Sequence, residues 1–360
     1  MKTKNLLMLL AIAGMMIFAS CKKDETPAPL TKEEATIELT SIEENYLTDI
    51  EGYETSEAAQ AMSFAENLDL SFSNDLKKAP INNKESFQKS IVKTYYSFLA
   101  KENSDESLLD FDFENNVGTW NKVNGEWVRT PDQTNKIVVI FSFKGGTKNG
   151  TLTFYDYAKK TISFDGENET YMSNLSSKVE IVGMVNPVAT RKYTANLSYS
   201  STSMKMSFKF DYTLGIYSST TSFALEGNRS GGTISVLNEI KKSDDIIRST
   251  SFTMKLTDIQ TGSLIVDAKY RIKDIIIKWA ININSTTNFD GNPSDFQNIS
   301  VWTAGGAKVA DVIFRSEEGE WIPYFKFADN SEVIVSVFFS EQLMDNIFDF
   351  NDTLFYFNFK

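Results

Sequence analysis

Met204-Lys205-Met206-Ser207-Phe208-Lys209-Phe210-Asp211-Tyr212 decides the fold. Successive side chains of an extended chain point to opposite sides, so the methionines, phenylalanines and Tyr212 share one face. Lys205, Ser207, Lys209 and Asp211 share the other. One apolar face and one wet face is what a half-buried antiparallel sheet requires. The same texture recurs on both sides of this stretch. Upstream it covers residues 136–143, 151–155, 161–164, 179–185 and 193–199; downstream it covers 221–225, 251–256, 264–272 and 275–283. Asn124-Gly125, set between Trp120–Val123 and Glu126–Arg129, is a two-residue hairpin signal. Gly-, Asn- and Ser-rich turns separate the runs, which predicts an antiparallel meander rather than βαβ units.

A short echo links Gly125-Glu126-Trp127-Val128, Asp132 and residues 137–141 with Gly319-Glu320-Trp321-Ile322, Asp329 and residues 333–338. It leaves the β region, residues 106–360, open to division into two sub-units near residue 285. Before this region the period changes. Thr31-Lys32-Glu33-Glu34 reads as a capping box. Leu39, Ile42, Tyr46, Ile50 and Tyr53 follow at helical spacing, with Gly52 expected to break or end the helix. Ala58, Met62, Ala65 and Leu68 place a second helix over residues 56–70. Asn83 caps a third, with Phe87, Ile91, Tyr95 and Phe98 on one face. The expected class is therefore mainly β with an N-terminal helical segment over residues 32–105, an α+β chain whose meander forms a sandwich or an open barrel.

Composition removes whole classes of chemistry. No histidine occurs among the 360 residues, and the single cysteine is Cys21. Ser-His-Asp and Cys-His catalysis, imidazole acid–base work, histidine zinc sites and disulfides are all excluded. Carboxylates, lysines, tyrosines and hydroxyls remain, and no cofactor is implied. Aromatic residues make up 13%, including 27 phenylalanines, enough for a large packed core.

The N-terminus gives an address. Lys2 and Lys4 precede an uncharged apolar run from Leu6 to Phe18, then the small residues Ala19-Ser20 and Cys21. A basic start, a short apolar stretch and small residues before a cut form a secretory signal over residues 1–20. The run is too short to span a bilayer, which needs about 20 residues. The segment resembles the lipobox of bacterial lipoproteins, in which the cysteine is lipidated and becomes the first mature residue. Two or more acyl chains give stable anchoring. Lys22, Lys23, Asp24 and Glu25 behind it resemble the export tag of Bacteroidetes surface lipoproteins. That resemblance implies an outer-membrane protein carried to the cell surface; a plain charged tether would leave it facing the periplasm. Residues 21–31 read as a lipidated tether. Loss of Lys2 and Lys4 lowers the 36 basic residues to 34 against 48 acidic ones, taking the net charge from −12 to −14. Such a chain repels nucleic acid.

Candidate sites are sparse. Asp110, Asp112 and Glu114 alternate with Phe111 and Phe113; on a strand they form a carboxylate row about 6–7 Å apart, suited to a cation or a glycosidase pair. The wet face of a charged edge strand is the bland alternative. Asp290, Asn292 and Asp295 surround Gly291 as calcium candidates, although the spacing lacks the acidic residue an EF-hand places twelfth, where Val301 stands. An Asx-rich turn explains the same residues. Asp165, Glu167 and Glu169 are equally open. Lys144-Gly145-Gly146 and Ser230-Gly231-Gly232 lack a phosphate-loop ending and read as turns. Trp120, Trp127, Trp279, Trp302 and Trp321 are core or sugar-stacking residues. The expected function is a non-enzymatic surface lipoprotein that binds a glycan, an envelope protein or an apolar ligand such as a lipid. Two alternatives stand beside it. One is a carboxylate-dependent glycoside hydrolase. The other is an outer-membrane β-barrel, suggested by the aromatic end Leu354-Phe355-Tyr356-Phe357-Asn358-Phe359.

Overall fold

A computed structural model of the chain describes residues 27–70, 112–340 and 343, apart from 133, 165, 166, 229, 259, 260, 262 and 290. Cys21, Lys22 to Glu25, the expected third helix, Asp110, Asp290 and the aromatic C-terminal end lie outside the described residues.

Helix α1 (Lys32–Thr55) starts where its capping box predicts. The Thr31 hydroxyl accepts from the Glu34 amide, while the Glu34 carboxylate accepts from the Thr31 amide at 2.9 Å. Leu39, Ile42 and Tyr46 are buried along one stripe, each contributing about 1.5–3 kcal/mol relative to exposure. Gly52 does not end the helix. It lies inside α1, and a Cβ there would stand 2.7 Å from the Tyr217 hydroxyl, so the residue marks a close approach between helix and sheet. Ser56 caps helix α2 (Glu57–Glu66), accepting from the Ala59 amide at 3.1 Å.

Sixteen strands then form one mostly antiparallel sheet that is not closed into a barrel. They are β1 (Gly118–Val123), β2 (Glu126–Thr130), β3 (Ile137–Phe141), β4 (Gly150–Phe164), β5 (Glu167–Ile181), β6 (Ala189–Tyr199), β7 (Ser203–Leu214) and β8 (Tyr217–Asn228). The series continues with β9 (Gly231–Lys242), β10 (Asp245–Asp258), β11 (Ser263–Ile272), β12 (Ile275–Ile283), β13 (Gln297–Thr303), β14 (Lys308–Glu317), β15 (Glu320–Lys326) and β16 (Glu332–Ile334). From β3 to β16 each strand lies beside the next in sequence. The β12–β13 pairing carries the ladder through the region around residue 285, with seven paired positions from Ile275↔Thr303 to Ile281↔Gln297. One pair breaks the antiparallel rule. The β1–β2 hairpin turns outward, so β3 docks on the other side of β1 and runs parallel to it.

Three readings of the sequence are corrected by the backbone. Residues 151–155 and 161–164 are not two strands but one, β4, bent by a bulge between Tyr155 and Ala158 where Asp156 has φ 55°. The bulge shifts the phase of the alternation, so the pattern stops where the strand does not. Residues 179–185 are not a strand to their end. The Asn186 side chain accepts from the Ile181 amide at 2.7 Å and donates to the Ile181 carbonyl at 2.9 Å, closing β5 at Ile181. Val182 to Val185 become an exposed turn. Asp112 and Glu114 do not lie on a strand: Glu114–Asn116 is a single 3₁₀ turn with Phe113 fully buried before it.

The register sorts the sheet into two faces. Met206, Phe208 and Phe210 of β7 lie opposite Leu225, Phe223 and Thr221 of β8, and all six are buried. Tyr193 faces Phe210 with ring centroids 5.1 Å apart. This is the core face, and α1 and α2 lie on it. They cross one end of the strands, which we call the near end, travelling from β14 towards β3. Along that path the Leu30 amide donates to the Lys308 carbonyl at 2.9 Å. Tyr53 meets Tyr217 edge to face at 5.6 Å. Phe64 lies 5.7 Å from Phe141. Antiparallel pairing puts the β5–β6, β7–β8, β9–β10, β11–β12 and β13–β14 connections at this same near end.

Candidate functional site

Three titratable groups with perturbed behaviour, Asp49, Arg191 and Tyr212, lie on the core face where the helices dock. Asp49 of α1 bonds Lys242 at 2.9 Å and also pairs with Lys273, joining the β9–β10 and β11–β12 hairpins to the helix. Burial pushes its carboxyl up, but the hydrogen bonds from Lys273 and Lys242 outweigh that and hold it below the usual carboxylate range. Glu66 of α2 pairs with Arg191. The Arg191 guanidinium lies 4.8 Å from the centre of the Tyr212 ring. Burial pushes that phenol up to about 12 against the pull of Arg191. Perturbed groups often mark catalytic sites. Here the Asp49 and Glu66–Arg191 pairs span the helix–sheet contact, so they account for docking.

The opposite face carries a large hollow. A trough of about 990 Å³ crosses the sheet from β6 to β13. Its floor comes from small residues brought into one row by the register: Ser207 opposite Ala224, Ala224 opposite Ser235, and Ser235 opposite Thr253. Asp267 and Ala280 continue the row. Asn196 and Asn298 close its two ends. A second row, with Lys209, Ser222, Leu237, Ser251, Lys269 and Lys278, forms one side. An adjoining hollow of about 530 Å³, between Ser198, Lys205, Glu226 and Thr233, extends it towards the far strand ends.

The depth has a simple cause. Serine, alanine and threonine rise little above the sheet, while flanking long side chains stand up in pairs. Lys205 and Glu226 meet at 2.5 Å, and Lys209 and Asp211 at 2.8 Å. Lys278 folds over the Trp302 ring at 4.0 Å from its centre, and the Trp302 indole donates to Ser300 at 2.8 Å. Eight neighbouring strands at about 4.8 Å spacing make the trough roughly 34 Å long. Its walls present hydroxyls and amides that both donate and accept hydrogen bonds, ammonium groups that donate, and the apolar side chain of Leu237. Such a surface suits an extended polar chain. No known protein family, curated protein or solved structure matches the chain. The trough therefore has to be read from its own chemistry.

The residues singled out from the sequence lie elsewhere or act structurally. Asp112 accepts from the Asn115 side chain at 3.0 Å, and Glu114 bonds Lys159 at 3.3 Å, so these carboxylates serve a turn. Asn292 caps a 3₁₀ turn over Pro293–Asp295, its side chain accepting from the Ser294 amide at 2.9 Å. Asp295 sits in that turn and is exposed. Among the described residues no group of three or more acidic, histidine or cysteine side chains could hold a metal ion. Glu167 and Glu169 pair with Phe164 and Ile162 at the start of β5; Asp165 lies outside the described residues. Trp120 and Trp279 are buried, with the Trp279 indole donating to Gln297 at 2.9 Å. Trp127 is partly buried against the core. Trp302 borders the trough, and Trp321 is exposed in β15. Sequence reasoning missed the trough because its floor residues lie one per strand. The available signal was the run of serine, threonine and alanine on the wet positions of β7 to β10.

Proposed function

We propose that the chain is a lipid-anchored envelope protein that binds an extended polar ligand, a glycan strand, along the β6–β13 trough without cleaving it. The trough itself carries this reading: Ser207, Ser235, Thr253, Asn196 and Asn298 offer donors and acceptors to sugar hydroxyls, while Ala224 and Ala280 between them leave apolar patches for the faces of sugar rings. Asp267 is the one carboxylate on the floor of the trough, and Glu226 and Asp211 beside it are each tied to a lysine. A glycosidase needs two, about 5.5 Å or 6.5–9.5 Å apart. The lipobox-like segment at Cys21 and the charges at Lys22 to Glu25 support an outer-membrane location with the protein facing outward.

The test is a glycan array probed with the mature chain carrying Cys21→Ser. Binding is expected, and Ser235→Trp, which fills the middle of the floor, is expected to abolish it while leaving the melting temperature within about 1 °C, as surface changes usually do. A blank array, or hits that survive the substitution, would remove the reading. Release of new reducing ends from a bound glycan would show an enzyme instead.

A further inference from the structure

The near end of the sheet bears an exposed apolar cluster that the fold does not use. Val182 is 78% exposed, Val185 92% and Ile216 60%. Their loops are neighbours: β5–β6 and β7–β8 adjoin at this end, where the Gly215 amide donates to the Val188 carbonyl at 3.0 Å. Asn186 holds the β5–β6 turn in shape through its bonds to Ile181 and to the Met184 carbonyl, so the valines are displayed by a fixed turn. Lys148, exposed, and Lys144, exposed and paired with Glu57 at 3.3 Å, flank the cluster from the β3–β4 connection. Apolar tips bordered by lysines are suited to the boundary between lipid headgroups and acyl chains.

The position of the chain's beginning points the same way. Pro27 lies against Gly306 and Leu30 is bonded to Lys308, both at the β13–β14 connection of this near end. Six residues separate Cys21 from Pro27, which limits their separation to about 20 Å. The strands are up to 15 residues long, so the far hairpins stand about 40–50 Å away. A lipid on Cys21 thus tethers the near end to the membrane at the β13–β14 side, while the apolar tips lie six to eight strands across at the same end of the strands.

We propose that the near end rests on the lipid surface, with Val182, Val185 and Ile216 entering the interface as a second contact beside the lipidated Cys21. The strands then stand upright, and the polar trough opens sideways, clear of the headgroups. This inference rests on lipidation at Cys21 but not on what the trough binds.

Because Cys21 is occupied when lipidated, single cysteines introduced elsewhere can be labelled selectively. The lipidated full chain carrying Val185→Cys, Ile216→Cys or, at the far end, Ser201→Cys would be labelled with an environment-sensitive fluorophore. Each would be placed on vesicles of phosphatidylethanolamine and phosphatidylglycerol containing a spin-labelled lipid quencher. The expected result is a blue shift and at least twofold quenching at positions 185 and 216, with neither at 201. Vesicle-bound protein with positions 185 and 216 still in water would overturn the proposal. Equal quenching at 201 would do the same, since the molecule would then lie flat. A blue shift without vesicles together with a doubled mass would assign the cluster to a second copy and also overturn it. Failure of the Cys21 chain to float with vesicles would refute the anchor itself, a result distinct from anchored protein with dry tips.

Discussion

Replacing Asp49 by asparagine keeps the size of the side chain and removes its charge. In the native chain this carboxylate is 11% exposed and receives Lys273, 22% exposed, and Lys242, 43% exposed. A hydrogen bond to a charged group contributes about 1.5–3 kcal/mol, and the open Lys242 pair belongs at or below the lower end of that range because water screens it. The variant leaves two ammonium groups facing each other across the helix end. The expected loss is about 2–3 kcal/mol near neutral pH. For a mature chain of about 340 residues, with an unfolding entropy of about 2.1 cal/mol/K per residue, that lowers the melting temperature by about 3–4 °C. The loss must also depend on pH. Because the folded carboxyl titrates below its unfolded value of about 3.9, its stabilisation is complete above that value and disappears as pH falls through the folded one. Melting followed by tryptophan fluorescence at pH 7, 5, 4 and 3 is the assay. The gap between variant and native chain should be full at pH 7 and 5 and should shrink at pH 4 and 3. A gap that is absent at pH 7, or constant down to pH 3, refutes the clamp.

Gly52→Ala should destabilise the chain, because the new methyl stands 2.7 Å from the Tyr217 hydroxyl. With Tyr217→Phe in place the nearest ring carbon is 3.8 Å away, and the same change should become stabilising by up to about 1 kcal/mol through helix propensity. Urea midpoints of the two pairs would reveal whether the sign reverses. Cys21→Ser should release the protein from the membrane fraction or leave the precursor uncleaved; unchanged pelleting would disprove lipidation. Substituting alanine for Lys23, Asp24 and Glu25 together should hide the protein from protease added to intact cells. Equal digestion of variant and native protein would mean these charges carry no sorting information.

Local rules wrote much of this fold into the sequence. The capping box at Thr31 and Glu34, the Ser56 cap, the Asn124-Gly125 hairpin and the alternation over Met204–Tyr212 each depend on residues within a few positions, and each is found in the structure. What escaped were features set by distant partners. Gly52 reads as a helix stop until Tyr217 is seen beside it. β9 escaped because Leu237 stands on the wet face, opposite Ser222 and Ser251, and blurs the alternation. Asp112 and Glu114 alternate as a strand would, yet burial of Phe113 turns the chain instead. The trough was least legible, since Ser207, Ala224, Ser235 and Thr253 become neighbours only when four strands pair in register.

The unbroken order of strands also has a bearing on how the chain can assemble as it is made. Every strand from β4 to β15 has as its two neighbours the strands immediately before and after it. A chain emerging with its N-terminus first can add each strand to the one already placed, without waiting for any later segment. Loop closure stays short at every such step, which favours fast pairing. The open side of the growing sheet is always the newest strand. A chain stalled part-way therefore presents its newest strand as a bare edge of unpaired amides and carbonyls, in addition to the permanent edge at β2, and that strand is the one a second chain could pair with.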